Sequence, residues 1–404
     1  METQLTDAGD GERYAYMFKC GDRRFLFIRP FGAGMESVAQ LVKDVDSGEN
    51  LIRKVPARRL VHFLLSDENR RLKKPNEIRM LNAIKKTFKA PEPGLPFYIS
   101  KCYGHEYIRS KYPDEKGRQM YHSASYWKLC NGDSVRSRWL FDCLYPPPAS
   151  LIARMIRQVL STLHYLYTAG DQPLYHDDLH LGNVWIHWPS DTALPDFYLG
   201  DFGEACFVDS KFQNHSFAEQ IRIAHPVNDL HKFYLNIENL LTTYGMFPGY
   251  AAAYGQTGLN ALGRLVKAMK GVVTDWETAA NTLEPPDLKP LIQWAKDVEE
   301  MFGEGGGVDE TQSEAYTGFV TEERKVALQF QHEKPLIVSG SKQEALRPMV
   351  MDGPGKALLP IHGPWQLVTV DGLPAEGEGV THHRPNDGRF HPGEPNLAGI
   401  LGAG

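Results

Sequence analysis

Five polar side chains crowd into YHDDLHLGN, residues 175–183: His176, Asp177, Asp178, His180 and Asn183. Such a cluster could be only a polar turn between a helix and a strand. It could also be a metal cage, because His176, Asp178 and His180 alternate onto one face of an extended segment. Two imidazoles and a carboxylate suit Zn²⁺ or Fe²⁺. A third chemistry depends on what lies downstream. Asn183 leads into the apolar run VWIH, a loop WPSDTALPD follows, and a second apolar run closes in FYLGDFG. A hairpin there would gather Asp178 and Asn183 at its start and Asp201 at its end. Oxygen ligands without cysteine suit Mg²⁺ against phosphates, since that ion keeps its waters and takes few protein ligands. Phosphoryl transfer uses such a set: one carboxylate orients the attacking hydroxyl, and an amide and a second carboxylate hold the metal.

The rest of the chain must supply a frame for these groups. Its 404 residues are enough for two or three domains or one large two-lobed domain. Residues 20–145 alternate strand-like pieces, FLFIRPFG, VAQLVKDV and NLIRKV, with polar loops. Between them KKPNEIRMLNAIKK carries Ile78, Leu81 and Ile84 at helical spacing. Residues 149–300 are mainly helical in pattern. The run from Ala149 to Tyr167 places Ile152, Met155, Ile156, Val159, Leu160, Leu163 and Leu166 on one stripe behind a proline triplet. DLHKFYLNIENLLTTYG and DLKPLIQWAKDVEEMFG both end in glycine, as helices do. Residues 303–404 hold 17 Gly and 9 Pro, a composition close to unstructured sequence. Within them LIVSG and WQLVTVDG could be strands docking onto the body.

Composition narrows the partners. A net charge of −6 without a Lys/Arg block argues against nucleic acid or anionic membrane. No run of about 18 apolar residues is present to span a bilayer, and the N-terminal METQLTDAGDGERY has no apolar stretch resembling a secretory signal. Five scattered cysteines, Cys20, Cys102, Cys130, Cys143 and Cys206, form no CxxC pair and fit free thiols in a reducing compartment. The expectation is an intracellular protein, cytoplasmic or nuclear.

HDDLHLGN followed by DFG resembles the catalytic loop and metal-binding turn of the protein kinase-like superfamily, H-R-D-x-x-x-x-N and D-F-G. The resemblance spans roughly residues 20–300, and is nearest to divergent kinase-like proteins of filamentous fungi. It implies an α+β, two-lobed protein kinase-like fold. An antiparallel sheet and one helix would form a small lobe with the hinge over 20–133, a mainly helical large lobe 134–302, and a Gly/Pro-rich tail of low order 303–404. It also implies ATP and Mg²⁺ as cofactors. The loop FGAGMES would cover the phosphates through Gly32, Ala33, Gly34 and Ser37. Lys54, held by Glu77, would position the α- and β-phosphates, Asn183 and Asp201 would hold Mg²⁺, and Asp178 would orient the acceptor hydroxyl. Tyr126 would back the nucleotide pocket, and the backbone of Trp127 and Leu129 would meet the adenine edge. Asp133 would lie near the ribose or cap the next helix. His176 would brace the loop. Asp229 would tie the loop down by accepting backbone N–H groups, its plainer role being an N-cap.

Three departures bear on function. Asp177 stands where the family has an arginine that receives an activation-loop phosphate, so phosphorylation at Ser210 or Ser216 is expected not to change the rate. His180 replaces a lysine and could still donate to a γ-phosphate. With Gly182 it gives the D-L-H-x-G-N form of choline and aminoglycoside kinases. No A-P-E follows DFG, so a peptide shelf is missing. The leading expectation is an ATP-dependent phosphotransferase acting on protein Ser/Thr, with a small hydroxylated acceptor as alternative. A nucleotide-binding pseudokinase scaffold and a His176–Asp178–His180 metallohydrolase are the remaining readings.

Overall fold

The computed structural model describes residues 13–33, 37–56, 65–66, 75–92, 95, 97–109, 117–141, 146–207, 225–245, 255–278, 285–303, 310–339 and 365–369. They form an α+β protein of two compact units. The first comprises Met1–Lys74, Lys101–Leu129 and Gln331–Gly393, and the second Pro75–Ser100, Cys130–Phe330 and Glu394–Gly404.

The first unit is built on an antiparallel nine-stranded sheet. Its strands are β1 (Arg13–Cys20), β2 (Arg23–Ala33), β3 (Ser37–Asp44), β4 (Asn50–Pro56), β5 (Leu65–Ser66), β6 (Cys102–Arg109) and β7 (Met120–Lys128). β1 to β4 follow one another as hairpins, β7 joins β4, and β6 and β5 pair with β7. Aromatic side chains from alternate strand positions fill the core: Tyr16, Phe18, Phe25, Phe27 and Tyr126, with Val42 and Leu51. In β2 the ladder slips twice, between Phe27 and Arg29 and between Pro30 and Gly32. Pro30, which has no N–H to give, lies between the two slips.

Two further strands come from the segment expected to be a low-order tail. Strands β12 (Ile337–Ser339) and β13 (Trp365–Thr369) both pair antiparallel with β1. Side chains secure the connection. Arg29 grips Glu333 with two nitrogens at 2.6 and 2.9 Å, and the Asn50 amide donates to the carbonyls of Gln331 and Glu333 at 3.2 Å. A 22-residue helix, Glu310–Gln331, precedes them. The Gly/Pro average over 303–404 hides this stretch, which contains one glycine and no proline.

The second unit packs around α2 (Ala149–Thr168), the helix after α1 (Asn76–Thr87). Every residue of the expected stripe on α2 is fully buried. Around it stand α3 (His225–Gly245), α4 (Gln256–Thr278), α5 (Lys289–Met301) and α6 (Glu310–Gln331). Glu299 of α5 receives Arg154 at 2.9 Å and Arg157 at 2.6 Å, locking α5 to α2 with half-buried, charge-assisted bonds. Residues 75–100, including α1, group with this helical unit rather than with the sheet. The small strands β8 (Leu174–Tyr175), β9 (Val184–His187), β10 (Asp196–Leu199) and β11 (Cys206–Phe207) form two antiparallel pairs, β9 with β10 and β8 with β11. No helix among the described residues is long and apolar enough to cross a membrane.

Candidate functional site

The hairpin β9–β10 forms as its apolar runs require, Val184 opposite Leu199 and Trp185 opposite Tyr198. Gln158 of α2 registers it by accepting the Phe197 N–H at 2.7 Å and donating to Asp196 at 3.0 Å. On the other strand Asn131 bonds both the N–H and the carbonyl of Trp188, at 2.7 and 3.0 Å. Gly132 lies so close to β9 that a Cβ there would meet Ile186 at 2.7 Å, so glycine is required. The ends of the hairpin meet where the Gly200 N–H donates to the Asn183 carbonyl at 3.0 Å. Asn183 and Asp201 therefore sit at one end of a braced scaffold.

Upstream, the Asn183 amide nitrogen donates twice to Asp178, to its carbonyl at 2.9 Å and to its Oδ2 at 3.1 Å. His180 folds back onto the same group. Its Nδ1 accepts the Gly182 N–H at 3.0 Å, so the ring proton sits on Nε2, which faces Asp178 Oδ2 at 3.6 Å. That separation is too long for a hydrogen bond but close enough for attraction. Both neighbours approach Oδ2. Oδ1 is left without a partner among the described residues. Gly182 makes the fold-back possible, because a Cβ there would lie 2.8 Å from the His180 ring.

The loop is held from below by Asp229, fully buried on α3. Its carboxylate accepts the N–H groups of His176 and Asp177, both at 2.8 Å. Asp229 is the fifth residue of its helix, so it acts across the fold rather than as an N-cap. Burial pushes its carboxyl up to about 7 against the pull of the two N–H bonds and of Lys232. One helical turn on, Lys232 donates to the Asp177 carbonyl at 2.6 Å. Sequence reasoning missed this lysine, although its spacing of three from Asp229 placed both on one helix face.

His176 is buried, donates from Nε2 to the Gly200 carbonyl at 2.8 Å, and meets the Phe202 ring edge-on at 4.9 Å. It braces the loop against the D-F-G turn, and burial lowers its pKa. Its Nδ1 is buried without a hydrogen-bond partner among the described residues, but His176, Asp178 and His180 do not gather as the expected metal cage. No group of three His, Cys, Asp or Glu among the described residues is arranged to hold a metal ion.

Among the described residues, only Asp133, Asp177 and Asp201 combine a side chain with positive φ, at 64°, 60° and 61°. Aspartate tolerates that region better than most residues, and such strain collects at functional sites. The cap of the turn that follows Asp133 is Ser134, whose Oγ accepts the Ser137 N–H at 3.2 Å, and Asp133 supports that cap from one residue before. It accepts the Ser134 N–H at 2.6 Å and the Ser137 hydroxyl at 3.1 Å, at the start of a π-helical turn, Arg136–Phe141. Glu77 stands in the first turn of α1, as its spacing predicted. The neighbouring Asn76 donates to the carbonyls of Gly203 and Ala205 at 2.7 and 2.8 Å, tying α1 to the D-F-G turn.

The sheet unit carries the other expected residues. Gly32 and Ala33 end β2 opposite Ala39 and Val38, and Ser37 opens β3. Gly34, like Ser210 and Ser216, lies outside the described residues. Lys54 is on β4 between Ala39 and Ser125, with its amine 5.5 Å from the Trp127 ring. Trp127 lies inside the sheet, opposite Ile52 on one side and Cys102 on the other. Its backbone therefore faces neighbouring strands, whereas Leu129 follows the end of β7. Tyr126 is buried, and its hydroxyl donates to Glu106 at 2.7 Å and accepts from Arg53 at 3.1 Å.

No family model and no curated protein matches the chain. The functional reading therefore rests on residue chemistry, geometry and the motif resemblance.

Proposed function

We propose that the chain is an ATP- and Mg²⁺-dependent phosphotransferase that moves the γ-phosphate of ATP to a hydroxyl, with protein Ser/Thr as the favoured acceptor. One observation carries the reading: Asp178 is oriented through Oδ2 by Asn183, with Oδ1 open, on a loop clamped from a buried carboxylate. A general base needs this arrangement, since one oxygen fixes the geometry and the other takes the proton.

The donor set at the hairpin end fits the metal. The Asn183 amide nitrogen is spent on Asp178, which turns its oxygen toward other work, and Asp201 adds a carboxylate. Hard oxygen donors, few in number, are what Mg²⁺ takes from a protein. Mg²⁺ bound by Asn183 and Asp201 would offset the charge gathering on the phosphate oxygens.

The chain's own groups account for the remaining roles. The acceptor hydroxyl hydrogen-bonds to Asp178 Oδ1, and its oxygen attacks the γ-phosphorus. The bond from that phosphorus to the β,γ-bridging oxygen breaks, ADP leaves, and the hydroxyl proton passes to Asp178. The motif resemblance gives Lys54 the α- and β-phosphates, Glu77 the orienting of that lysine, and Gly32, Ala33 and Ser37 the cover of the triphosphate. His180 is a positioning residue that keeps Asp178 Oδ2 turned inward. Gly182→Ala should drive the imidazole from that place and lower kcat by about 10–100-fold, with the unfolding midpoint nearly unchanged. His180→Ala should give a similar loss, and the double variant should be no worse than either single one. Additive losses would remove His180 from this role.

The reading is tested by following transfer of labelled γ-phosphate in the parent and in Asp178→Asn, with ATP binding measured in parallel. An Asp178→Asn rate equal to the parent's would discard Asp178 as the base.

A further inference from the structure

Arg136 lies exposed beside the catalytic loop and makes no ion pair among the described residues. Its backbone N–H donates to the Leu181 carbonyl at 3.0 Å, between His180 and Gly182. Its side-chain stem lies along the loop, with Cδ 3.8 Å from where a Gly182 Cβ would stand. The guanidinium rests over the Phe141 ring, 5.6 Å from the centroid. Phe141 is itself 71% exposed, the most exposed large apolar side chain among the described residues.

The backbone explains why these two meet. Arg136–Phe141 is a π-helical turn, whose wider coil brings residues five apart onto one face. Such turns are rare and are frequently found at functional sites. Other arginines of this unit are spent on structure: Arg138 grips Glu323 with two nitrogens, and Arg154 and Arg157 share Glu299. The nearest acid in sequence, Asp133, is engaged by Ser134 and Ser137. Arg136 is thus a planar cation held against the loop that carries Asp178, its fork directed to no internal partner among the described residues.

We infer that Arg136, braced by Phe141, selects an acceptor that carries a carboxylate or phosphate close to the hydroxyl it presents to Asp178. A guanidinium matches either anion with two parallel N–H bonds, and the exposed ring beneath it keeps the fork from collapsing onto the surface. This rests on the phosphotransferase reading and deepens it by naming the chemistry of the acceptor. That anion could belong to an acidic side chain beside a Ser or Thr, or to a small hydroxy acid.

The test measures γ-phosphate transfer by the full-length chain to two sets of acceptors. One set is serine peptides flanked by Asp, Ala or Lys, and the other is small hydroxy acids beside neutral polyols. The reading is the ratio of kcat/KM for anionic over cationic or neutral acceptors within each protein preparation, which partial misfolding does not mimic. The parent should favour anionic acceptors by at least about tenfold, through KM. Arg136→Lys should keep part of that preference, Arg136→Ala should lose it, and Arg136→Glu should reverse it among the peptides. Preference confined to peptides assigns the anion to a protein, and preference confined to hydroxy acids assigns it to a small molecule. A ratio that Arg136→Glu leaves unchanged, with transfer intact, overturns the inference alone. Absence of ATP turnover with every acceptor overturns it together with the phosphotransferase reading.

Discussion

Asp178→Asn is expected to lower phosphate transfer by about 10²–10⁴-fold, the usual contribution of a positioned general base. ATP affinity, followed by thermal stabilisation with Mg²⁺ present, should stay close to the parent's. The separation of the two effects follows from the geometry. Asparagine preserves the shape of the side chain and one oxygen, which can still accept from Asn183 at the place of Oδ2. The other position becomes an NH₂ group that repels the incoming hydroxyl proton instead of taking it. The loss therefore falls on kcat rather than on ground-state binding. Retained turnover in Asp178→Asn would shift the base elsewhere, and equal loss of binding and turnover would make the residue structural.

Asp229→Ala should be as damaging, by a different route. Two buried N–H donors, those of His176 and Asp177, would lose their acceptor together. At about 1–3 kcal/mol for each buried donor left unpaired, the loss is about 2–6 kcal/mol, a large part of an ordinary domain's net stability. Some of it is returned, because the variant no longer buries a carboxyl whose pKa is raised to about 7. Asp177, held at φ 60°, would have less to keep it in that conformation, so turnover should fall with stability. The pH dependence separates this account from simple loss of packing. With its pKa raised from 3.8 to about 7, Asp229 keeps a proton that the unfolded chain releases between those values. Its contribution to stability is full below 3.8 and is lost as pH rises through about 7. His176 has the opposite sign. Its pKa lies below 6.5, so its contribution is present above 6.5 and is lost as pH falls through the depressed folded value. The deficit of Asp229→Ala against the parent, read from urea unfolding, should therefore widen from pH 7 to pH 4. A deficit that is constant with pH would mean that Asp229 does not titrate in that range.

Local pattern made much of this legible. The stripe from Ile152 to Leu166 had the period of a helix buried along one side, and a buried helix formed there. Two apolar runs around WPSDTALPD could hardly do other than pair, so the meeting of Asn183 with the D-F-G turn could be read from spacing. The hold of Asp229 on the loop is different. It joins residues 52 and 53 positions apart through backbone N–H groups, which leave no trace in side-chain pattern, and only the motif resemblance pointed to it. Helix α6 went unread because an average over 303–404 mixed a helix-forming stretch with glycine-rich sequence on both sides. The pairing of β12 and β13 with β1 depends on strand edges more than three hundred residues away in the chain. Arg136 was invisible for a related reason, since a π-helical turn has no period that distinguishes it from an α-helical one. Asp133 was an even choice from sequence between the ribose and the helix cap, and its contacts put it beside the cap that Ser134 makes.

The proposed reading puts Lys54 at the phosphates of magnesium-bound ATP, as the motif resemblance implies. It is met most directly by treating the protein with an ATP analogue whose terminal phosphate carries a reactive acyl group, then locating the acylated lysine by mass spectrometry. The account predicts an adduct on Lys54 that ATP with Mg²⁺ suppresses and that Asp201→Asn weakens. Adducts that spare Lys54, or a Lys54 adduct indifferent to ATP, would contradict it.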